Sequence, residues 1–388
     1  MKILIVTTYM SPIYGGITKV VEETLEALGK QKDITVDLLT TNAKLESDPN
    51  CPVNTWIQEQ GYRVRYHKCI YRDDLIFSFS LLRYLWNHVK EYDIVHIHTI
   101  FSPLISVACN ICQIKGMPYV ITPHGILEPW SLNYKKGKKE IYYKLLDKNN
   151  LKKASALQAI ASVEKSNLHS LDVNKELFYV PNGLNAEEFS SLPSADIFTE
   201  KFPETKGKTL ILFLGRMNPK KGLDLLAPAF AKVKQKYPQL HLVVAGPDKI
   251  GFLPTVKKYF QQSNCIEDVT FTGMLTGEIK YAALSAAQIY IAPSYSEGFS
   301  MSILEGMASN CACVITNGCN FPEAKEAKVA KVVDTSVDKI AESLLWCLDN
   351  PQESQNMAIE ARKFILNNYT WQEIAKKLID AYQKILVA

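Results

Sequence analysis

Short apolar runs alternate along the chain with stretches in which apolar residues recur at helical spacing. Residues 2–8 form the first apolar run, and Gly15-Gly16 then leads into an amphipathic stretch. Similar runs and stretches continue to about residue 190 and begin again at residue 209. Strands that alternate with helices are typical of a parallel sheet covered by helices. The pattern therefore predicts an α/β protein with two parallel, doubly wound sheets.

A polar segment, residues 190–208, lies between the two patterns. It holds prolines, serines and acidic residues, a composition that is typical of a linker. A chain of 388 residues is also longer than one ordinary core accommodates. We therefore expect a first domain over residues 1–190 and a second domain over residues 205–367, followed by a helical stretch at about 368–388.

Composition and charge exclude several classes of protein. Lys and Arg number 44 against 40 acidic residues, and this net charge of +4 is too small for a nucleic-acid-binding protein. The first apolar run is too short for a signal peptide, and no run approaches the roughly 18 apolar residues of a membrane span. We therefore expect a cytoplasmic protein whose nine cysteines are reduced thiols.

Two side-chain pairs have the spacing of redox or metal sites but lack supporting residues. Cys109 and Cys112 lie in an apolar stretch that predicts a helix, and no second such pair accompanies them. His96 and His98 share one face of a predicted strand, and no acidic or thiol ligand is spaced near them. We expect buried structural thiols in the first case, and packing or pocket-lining histidines in the second.

A basic segment occupies residues 129–154. Eight lysines lie between Lys135 and Lys153, and Trp and Tyr residues are interleaved with them. Such a helix is either an ordinary solvated face or a surface that lies on an anionic membrane. The residues alone leave both interpretations open.

Two glutamates in the second half lie where a strand gives way to a helix. Residues 288–293 predict a strand, Glu297 follows on a loop, and Glu305 lies about one turn inside a helix that Ser300 or Ser302 would cap. Ligands of open α/β sheets bind beyond the strand ends, and carboxylates suit the hydroxyls of a sugar or ribose. The alternative is a capping box, Ser302-x-x-Glu305, with Glu297 as a solvated loop acid.

Three cations follow an earlier strand of the second half. Arg216 comes just after this strand, and Lys220 and Lys221 precede another helix. Arginine offers a planar fork of donors and lysine a compact charge, a combination that suits a diphosphate. The chain contains neither a P-loop motif nor the glycine fingerprint of dinucleotide-binding proteins. These cations therefore form either a diphosphate site of another kind or ordinary surface charge.

Six short motifs occur in order over nearly the whole chain. They are Gly15-Gly16, Thr122-Pro-His-Gly125, Pro181-Asn-Gly183, Gly215-Arg-x4-Lys221-Gly222, Phe271-Thr-Gly273 and Glu297-x7-Glu305. Together they resemble the motifs of retaining glycosyltransferases of family 4, which have the GT-B architecture of two facing Rossmann-like domains. The resemblance implies that residues 1–190 bind the acceptor and residues 205–367 the nucleotide sugar. It also implies that the helix at about 368–388 packs back on the first domain.

The resemblance further implies the roles of individual residues. Arg216 and Lys221 would neutralise the donor diphosphate, Glu305 would bind both ribose hydroxyls, and Glu297 would hold the donor sugar. His124 would contact the sugar near its anomeric carbon. The other donor-binding residues implied are Gly15, Gly16, Asn182, Met274, Leu275, Phe299, Ser300 and Met301. Among these, Met274 and Leu275 would lie beside the base, and Gly16 would approach the phosphate.

The sequence departs from the family at two places. Where the family often has an Asp-x-Gly-Gly turn before Pro-Glu, this chain has Thr316-Asn-Gly-Cys-Asn-Phe-Pro-Glu323. Ser300-Met-Ser302 replaces the usual Gly-Leu-Pro. Both segments would lie near the sugar, so they obscure the identity of the donor.

The activity implied is transfer of a hexosyl unit from a nucleotide-diphosphate sugar, with retention of configuration. UDP-glucose or a similar donor is favoured, and GDP-mannose is the second choice. Residues 124–154 are similar to the exopolysaccharide and lipopolysaccharide branch of the family. That similarity favours a glycan or lipid-linked glycan acceptor in cell-surface polysaccharide synthesis, and a peripheral position at the inner face of the cell membrane.

No cofactor and no metal ion are expected. Arg216 and Lys221 would supply the positive charge, and the chain has no Asp-x-Asp motif. Its only adjacent aspartates are Asp73 and Asp74. Two alternatives remain, a nucleotide-sugar epimerase of the same fold and a non-catalytic membrane- or glycan-binding module.

Overall fold

The computed structural model describes residues 1–72, 75–128, 140–171, 173 and 176–387. The chain folds into two compact units. The first unit comprises Met1–Gly183 and Trp371–Ala388, and the second comprises Leu184–Thr370. Among the predicted features, Asp73, Asp74 and the lysines at positions 135, 136, 138 and 139 lie outside the described residues.

The first unit is built on an eight-stranded sheet. The strands of this unit are β1 (Lys2–Val6), β2 (Thr35–Thr41), β3 (Trp56–Gln58), β4 (Arg63–His67), β5 (Ile70–Arg72), β6 (Leu75–Phe77), β7 (Ile94–His98), β8 (Tyr119–Thr122), β9 (Ala156–Ala159) and β10 (Leu177–Tyr179). The sheet has the order β10-β9-β8-β7-β1-β2-β4-β3, and its pairs are parallel except β3 with β4. Strands β5 and β6 form a separate hairpin.

Helices cover both faces of this sheet. Among the described residues, the α-helices of the first unit are Gly16–Gly29, Phe79–His88, Pro103–Lys115, Lys148–Lys153, Ser162–Ser170 and Trp371–Val387. Leu4 and Val6 of β1 share one buried core with Leu81 and Leu104, which lie on the second and third of these helices. The opposite face carries His96, which contacts Tyr382 of the last helix. The alternation of side chains along the strands thus supplies two helix-covered faces.

The second unit contains a six-stranded sheet in which every pair is parallel. Its strands are β11 (Thr209–Leu214), β12 (Leu240–Ala245), β13 (Val269–Gly273), β14 (Ile289–Ala292), β15 (Ala312–Thr316) and β16 (Lys331–Val333). Their order is β13-β12-β11-β14-β15-β16, so the direction of strand addition reverses between β11 and β14. The α-helices are Ala195–Lys201, Leu223–Lys236, Leu253–Gln262, Gly277–Ala286, Met301–Ala308, Pro322–Glu326, Val337–Asp349 and Pro351–Asn368.

These two sheets confirm the predicted α/β class with doubly wound parallel sheets. The linker prediction was wrong in part, because residues 190–208 contain the helix Ala195–Lys201, whose Phe198 is fully buried. The hydroxyl of Ser194 accepts from the backbone N–H of Asp196, so the polar composition there caps a helix. The chain passes from the first unit to the second at Gly183 and Leu184, before this segment.

The thiol prediction is confirmed, since Cys109 and Cys112 are buried free thiols on the helix Pro103–Lys115. Within the described part of the chain, no helix combines the length and the apolar character that a membrane span requires.

Candidate functional site

The predicted cations and the first predicted carboxylate of the second unit lie at neighbouring strand ends. Arg216, Lys220 and Lys221 follow β11, and Glu297 follows β14. These strands are neighbours at the point where strand order reverses. In open α/β sheets the crevice beyond the carboxyl ends at such a point is the usual ligand site. The fold thus brings together Lys221 and Glu297, which are 76 positions apart in the sequence.

Gly222 allows the loops after β11 and β14 to approach closely. Its φ of +68° lies in the left-handed region, and a Cβ there would lie 1.9 Å from the carbonyl oxygen of Pro293. No residue but glycine fits such a position. The backbone N–H of Tyr295 donates to the carbonyl of Lys220 at 2.8 Å and joins the two loops further. The close packing of these two loops therefore explains why glycine occupies position 222 of the predicted motif.

Glu297 is buried, and both oxygens of its carboxylate lie close to neighbouring polar or charged side chains. Its Oε1 accepts from Nζ of Lys221 at 2.5 Å and from Oγ of Ser294 at 2.7 Å. Its Oε2 lies 3.8 Å from Nζ of Lys220. Burial alone would raise the pKa of Glu297, but the charges of Lys221 and Lys220 outweigh it and lower this pKa. Glu297 is therefore an ionised, fixed carboxylate, and the interpretation as a solvated loop acid was wrong.

The segment that departs from the family pattern holds the backbone of Glu297. The N–H of Glu297 donates to the carbonyl of Gly318 at 2.8 Å, and Nδ2 of Asn320 donates to the carbonyl of Glu297 at 2.6 Å. A Cβ on Gly318 would lie 2.3 Å from the carbonyl oxygen of Ser294. Residues 316–323 thus form a clamp for Glu297, a function that their sequence did not reveal.

Glu305 lies inside the helix Met301–Ala308, as predicted, but it does not cap it. The N-cap residue is Ser300, so the third helical position is Ile303 and the proposed capping box is out of frame. The side chain of Ser300 makes no capping hydrogen bond. Oε1 of Glu305 accepts from Nζ of Lys280 at 3.0 Å, and both side chains are largely buried. The capping-box interpretation was therefore wrong.

Lys280, the partner of Glu305, is a residue that the sequence did not single out. It lies on the helix Gly277–Ala286, and Glu305 lies 25 positions later on another helix. A single lysine on an amphipathic helix has the appearance of an ordinary exposed cation, so only the packing of the two helices reveals the pair.

Arg216 is exposed, and its charge acts on its neighbours. The pKa of Lys220 is lowered first by burial and then, against the opposing effect of Glu297, by the charges of Lys221 and Arg216. Arg216, Lys220 and Lys221 therefore share this edge of the sheet with the carboxylate of Glu297. Such a cluster carries surplus positive charge and suits an anionic ligand.

The remaining predicted residues of the second unit lie at strand ends and at a helix start. Met274 and Leu275 follow β13, two strands away from β11, and the side chain of Met274 is exposed. Phe299 is buried, and its ring stacks on that of Tyr369. Ser300 and Met301 are half-buried at the start of the helix Met301–Ala308.

Four predicted residues belong to the first unit. Gly15, with a φ of +89°, is the N-cap of the helix that starts at Gly16. A Cβ on Gly16 would meet no atom within 4 Å, so packing within this unit does not require glycine there. His124 and Asn182 line one small cavity together with Gln158. The structure thus brings His124 and Asn182 together.

His124 follows β8 and has a φ of +57°, in the left-handed region that residues other than glycine rarely adopt. Its Nε2 lies 2.8 Å from Nδ1 of His98, and the two rings are stacked. Burial lowers the pKa of His124 to about 4, so the ring is neutral near pH 7. The prediction that His96 and His98 pack or line a pocket is confirmed, because both are buried and His98 lines the same cavity.

Comparison with known families and proteins covers both units. The family model described as Glycosyltransferase Family 4 matches residues 14–188, and the model described as Glycosyl transferases group 1 matches residues 195–364. Between them, the matches leave out only short segments of the chain.

Two curated relatives and one solved structure illustrate the range of similarity. Uncharacterized glycosyltransferase YqgM of Bacillus subtilis is 24% identical over 310 residues, which are 79% of this chain and 82% of YqgM. GDP-mannose-dependent alpha-(1-6)-phosphatidylinositol monomannoside mannosyltransferase of Mycobacterium tuberculosis is 25% identical over 213 residues. That alignment covers 53% of this chain and 55% of the relative. HepE of Anabaena, solved in complex with UDP-glucose, matches with a TM-score of 0.75 and 16% identity over 99% of this chain and 100% of HepE.

Proposed function

The chain belongs to glycosyltransferase family 4, and from this premise we propose that it transfers a hexosyl unit from a nucleotide-diphosphate sugar to a hydroxyl of a glycan or lipid-linked glycan. The reaction retains the anomeric configuration and serves cell-surface polysaccharide synthesis. The observation that carries the proposal is the pair Lys220 and Lys221 against the buried carboxylate of Glu297, with the charge of Arg216 acting on Lys220.

The cation cluster is the diphosphate site in this proposal. A leaving nucleoside diphosphate gains negative charge as the bond to the anomeric carbon breaks, and fixed cations offset that charge. Arg216 and Lys221 bind the diphosphate, while Glu297 accepts hydrogen bonds from the hydroxyls of the donor sugar. Phe299, Ser300 and Met301 contribute backbone groups at the helix start.

Glu305 binds the ribose, and the base lies beside Met274 and Leu275. The Oε1 atom of Glu305 accepts a hydrogen bond from Lys280, and this contact fixes the carboxylate that we assign to the ribose hydroxyls. The first unit contributes Gly15, Gly16, His124 and Asn182 to substrate binding. UDP-glucose is the favoured donor because HepE, which matches the whole chain, binds it, and GDP-mannose follows from the mycobacterial relative.

The chemical step is a front-face displacement. The acceptor oxygen forms its bond to the anomeric carbon on the face from which the diphosphate departs, and the acceptor proton passes to an oxygen of the leaving phosphate. Neither Glu297 nor Glu305 acts as nucleophile, since Glu297 is held by Lys221 and Glu305 serves the ribose. The protein supplies position and charge, and the fixed cations make a metal ion unnecessary.

We extend the proposal to the membrane surface. In the described part of the basic segment, residues 140–153, one face is buried through Asp147, Asn150 and Leu151. Ile141 and Leu145 are exposed on the other face. Four lysines are exposed there as well, namely Lys144, Lys148, Lys152 and Lys153. Exposed apolar side chains among lysines suit an anionic bilayer, so this segment holds the enzyme at the cytoplasmic side of the membrane.

A donor screen followed by a transfer assay tests the function. We expect UDP-glucose to raise the melting temperature more than other nucleotide sugars, and release of UDP to require an acceptor glycan. Conversion of the donor sugar without an acceptor would instead support an epimerase. If no nucleotide sugar and no nucleoside diphosphate binds, the result would refute the transferase function and support a non-catalytic binding module.

A further inference from the structure

A directed chain of hydrogen bonds crosses the first unit beneath the cavity that His124 lines. Nε2 of Gln158 donates to the carbonyl of Val180 at 2.8 Å, so its Oε1 is the acceptor for the hydroxyl of Thr122, also at 2.8 Å. Thr122 then accepts from Nε2 of His96 at 2.6 Å. Nδ1 of His96 therefore accepts from the phenol of Tyr382 at 2.5 Å. The direction of each hydrogen bond in this series is therefore fixed, and the ring proton of His96 lies on Nε2.

The two ring nitrogens of His98, which lies two residues after His96 on β7, have different surroundings. Nδ1 of His98 lies 2.8 Å from Nε2 of His124. Nε2 of His98 is buried and has no hydrogen-bond partner among the described residues. A neutral imidazole carries one proton, so His98 is either a donor at Nδ1 or a donor at Nε2.

The unpartnered atom decides between the two tautomers. A buried N–H without an acceptor is rare in proteins, because the group loses its hydrogen bond to water on burial and forms no hydrogen bond that compensates for the loss. With the proton on Nδ1, His98 donates to His124, and the unpartnered atom is an acceptor, which folded proteins leave unsatisfied less rarely than an N–H. His124 then accepts at Nε2, and its own proton must lie on Nδ1.

We infer that His98 is a positioning residue for His124, which it holds as the Nδ1–H tautomer and thereby makes a hydrogen-bond donor to a substrate oxygen. The role of His124 toward substrate rests on the proposed function, whereas the tautomer rests on the His98 contact alone. The left-handed backbone of His124, at a φ of +57°, supports a functional placement of this side chain. Both rings are neutral near pH 7, since burial lowers the pKa of each.

Nitrogen-15 NMR of histidine-labelled protein tests the tautomer without any assay of activity. We expect the long-range couplings of His124 to report a proton on Nδ1. His98→Asn places an amide N–H near the original Nδ1 and should preserve this pattern. His98→Phe removes the donor and should shift His124 toward the Nε2–H form. A proton on Nε2 of His124 in the parent protein would overturn the inference.

Kinetics of the same variants test whether the tautomer matters to the reaction. We expect His98→Phe to lower kcat/KM about tenfold, the scale of one lost hydrogen bond, and His98→Asn to recover most of that loss. His241→Phe is the matched control, because His241 is a buried histidine of the second unit that contacts Thr270. Equal activity in His98→Phe and the parent, with the tautomer changed, would overturn the positioning role. A parent protein with the expected tautomer but no transferase activity would refute the proposed function and leave the tautomer standing.

Discussion

The ammonium group of Lys221 lies 2.5 Å from Oε1 of Glu297, a contact between two loops that follow neighbouring strands. The pair couples a cation proposed for the diphosphate to a carboxylate proposed for the sugar. A ligand that binds to the ammonium group or to the carboxylate therefore changes the electrostatic environment of the other group.

Replacing Lys221 with Ala should lower the transfer rate by about 100-fold or more, the scale of removing one charge-stabilising group. Lys232→Ala is the control for this variant, since Lys232 forms an exposed ion pair in the same unit.

Excess chelator should leave the activity of the parent protein unchanged, because the cations that offset the leaving charge belong to the protein. Loss of activity with chelator and its recovery with Mg²⁺ or Mn²⁺ would contradict the proposed metal independence.

Glu305→Gln should reduce donor affinity by about tenfold or more, because a hydrogen bond to a charged group contributes roughly 1.5–3 kcal/mol. The melting temperature should fall only through the weaker contact with Lys280, whose hydrogen bond Gln can still accept, since Glu305 does not cap its helix. Titration calorimetry with the nucleoside diphosphate measures the affinity. Glu360→Gln, which alters an exposed pair with Lys363, serves as the control. Unchanged affinity in Glu305→Gln would remove the ribose assignment.

Changing the four exposed lysines of residues 140–153 to Ser should weaken binding to anionic vesicles by about a thousandfold. Each lysine near an anionic surface contributes about 1 kcal/mol, and salt should weaken the parent binding. A matched variant changes four exposed lysines of the second unit, namely Lys201, Lys206, Lys208 and Lys257. Equal losses in both variants on cosedimentation would assign the effect to total charge and not to this segment.

Glu164 should make the free energy of unfolding depend on pH. Burial raises the pKa of Glu164 to about 7, even though its carboxylate accepts from the N–H groups of Ile160 and Gly125. Between pH 4.5 and 7 the folded protein therefore retains a proton that the unfolded chain has released. Stability from this group is full below that window and falls as pH rises through it.

Urea unfolding of the parent protein and Glu164→Gln, at pH 5 and pH 8, measures this contribution. The stability of the parent relative to the variant should decrease by up to about 3 kcal/mol from the lower to the higher pH. Parallel behaviour of the two proteins would show that the carboxyl group is ionised throughout.

Tyr382→Phe should destabilise the first unit, because Nδ1 of His96 would lose its donor in a buried position. An unsatisfied buried group costs about 1–3 kcal/mol, which urea unfolding detects. The control is Tyr237→Phe, whose hydroxyl bonds Asp349 at the surface, and its urea midpoint should match that of the parent. Equal midpoints for Tyr382→Phe and the parent would show that the buried bond adds nothing.

The sequence predicted what depends on local pattern. The apolar runs at residues 2–8 and 288–293 located β1 and β14, and the loop after β14 holds Glu297 as predicted. The capping-box alternative failed because a shift of two residues in the helix start takes Ser302 out of the N-cap position. Such shifts lie within the usual uncertainty of helix boundaries.

Contacts between distant elements were beyond prediction. The pairing of Lys280 with Glu305 depends on how two helices pack, and the clamp of Asn320 on Glu297 depends on a turn with no familiar pattern. The contact of His98 with His124 depends on the pairing of β7 with β8. Periodicity reports which face of an element a residue occupies, but not which residue it meets there.

The bond between Tyr382 and His96 also constrains the order of events during synthesis. The first unit is completed by Trp371–Val387, which the ribosome produces after all of Leu184–Thr370. Until those residues emerge, one face of the first sheet lacks its last helix, and His96 lacks its phenol donor. Domains generally fold as units while the chain is made. The unit that begins first in the sequence is therefore the last to be finished, and the nascent chain holds its uncovered sheet face while the second unit forms.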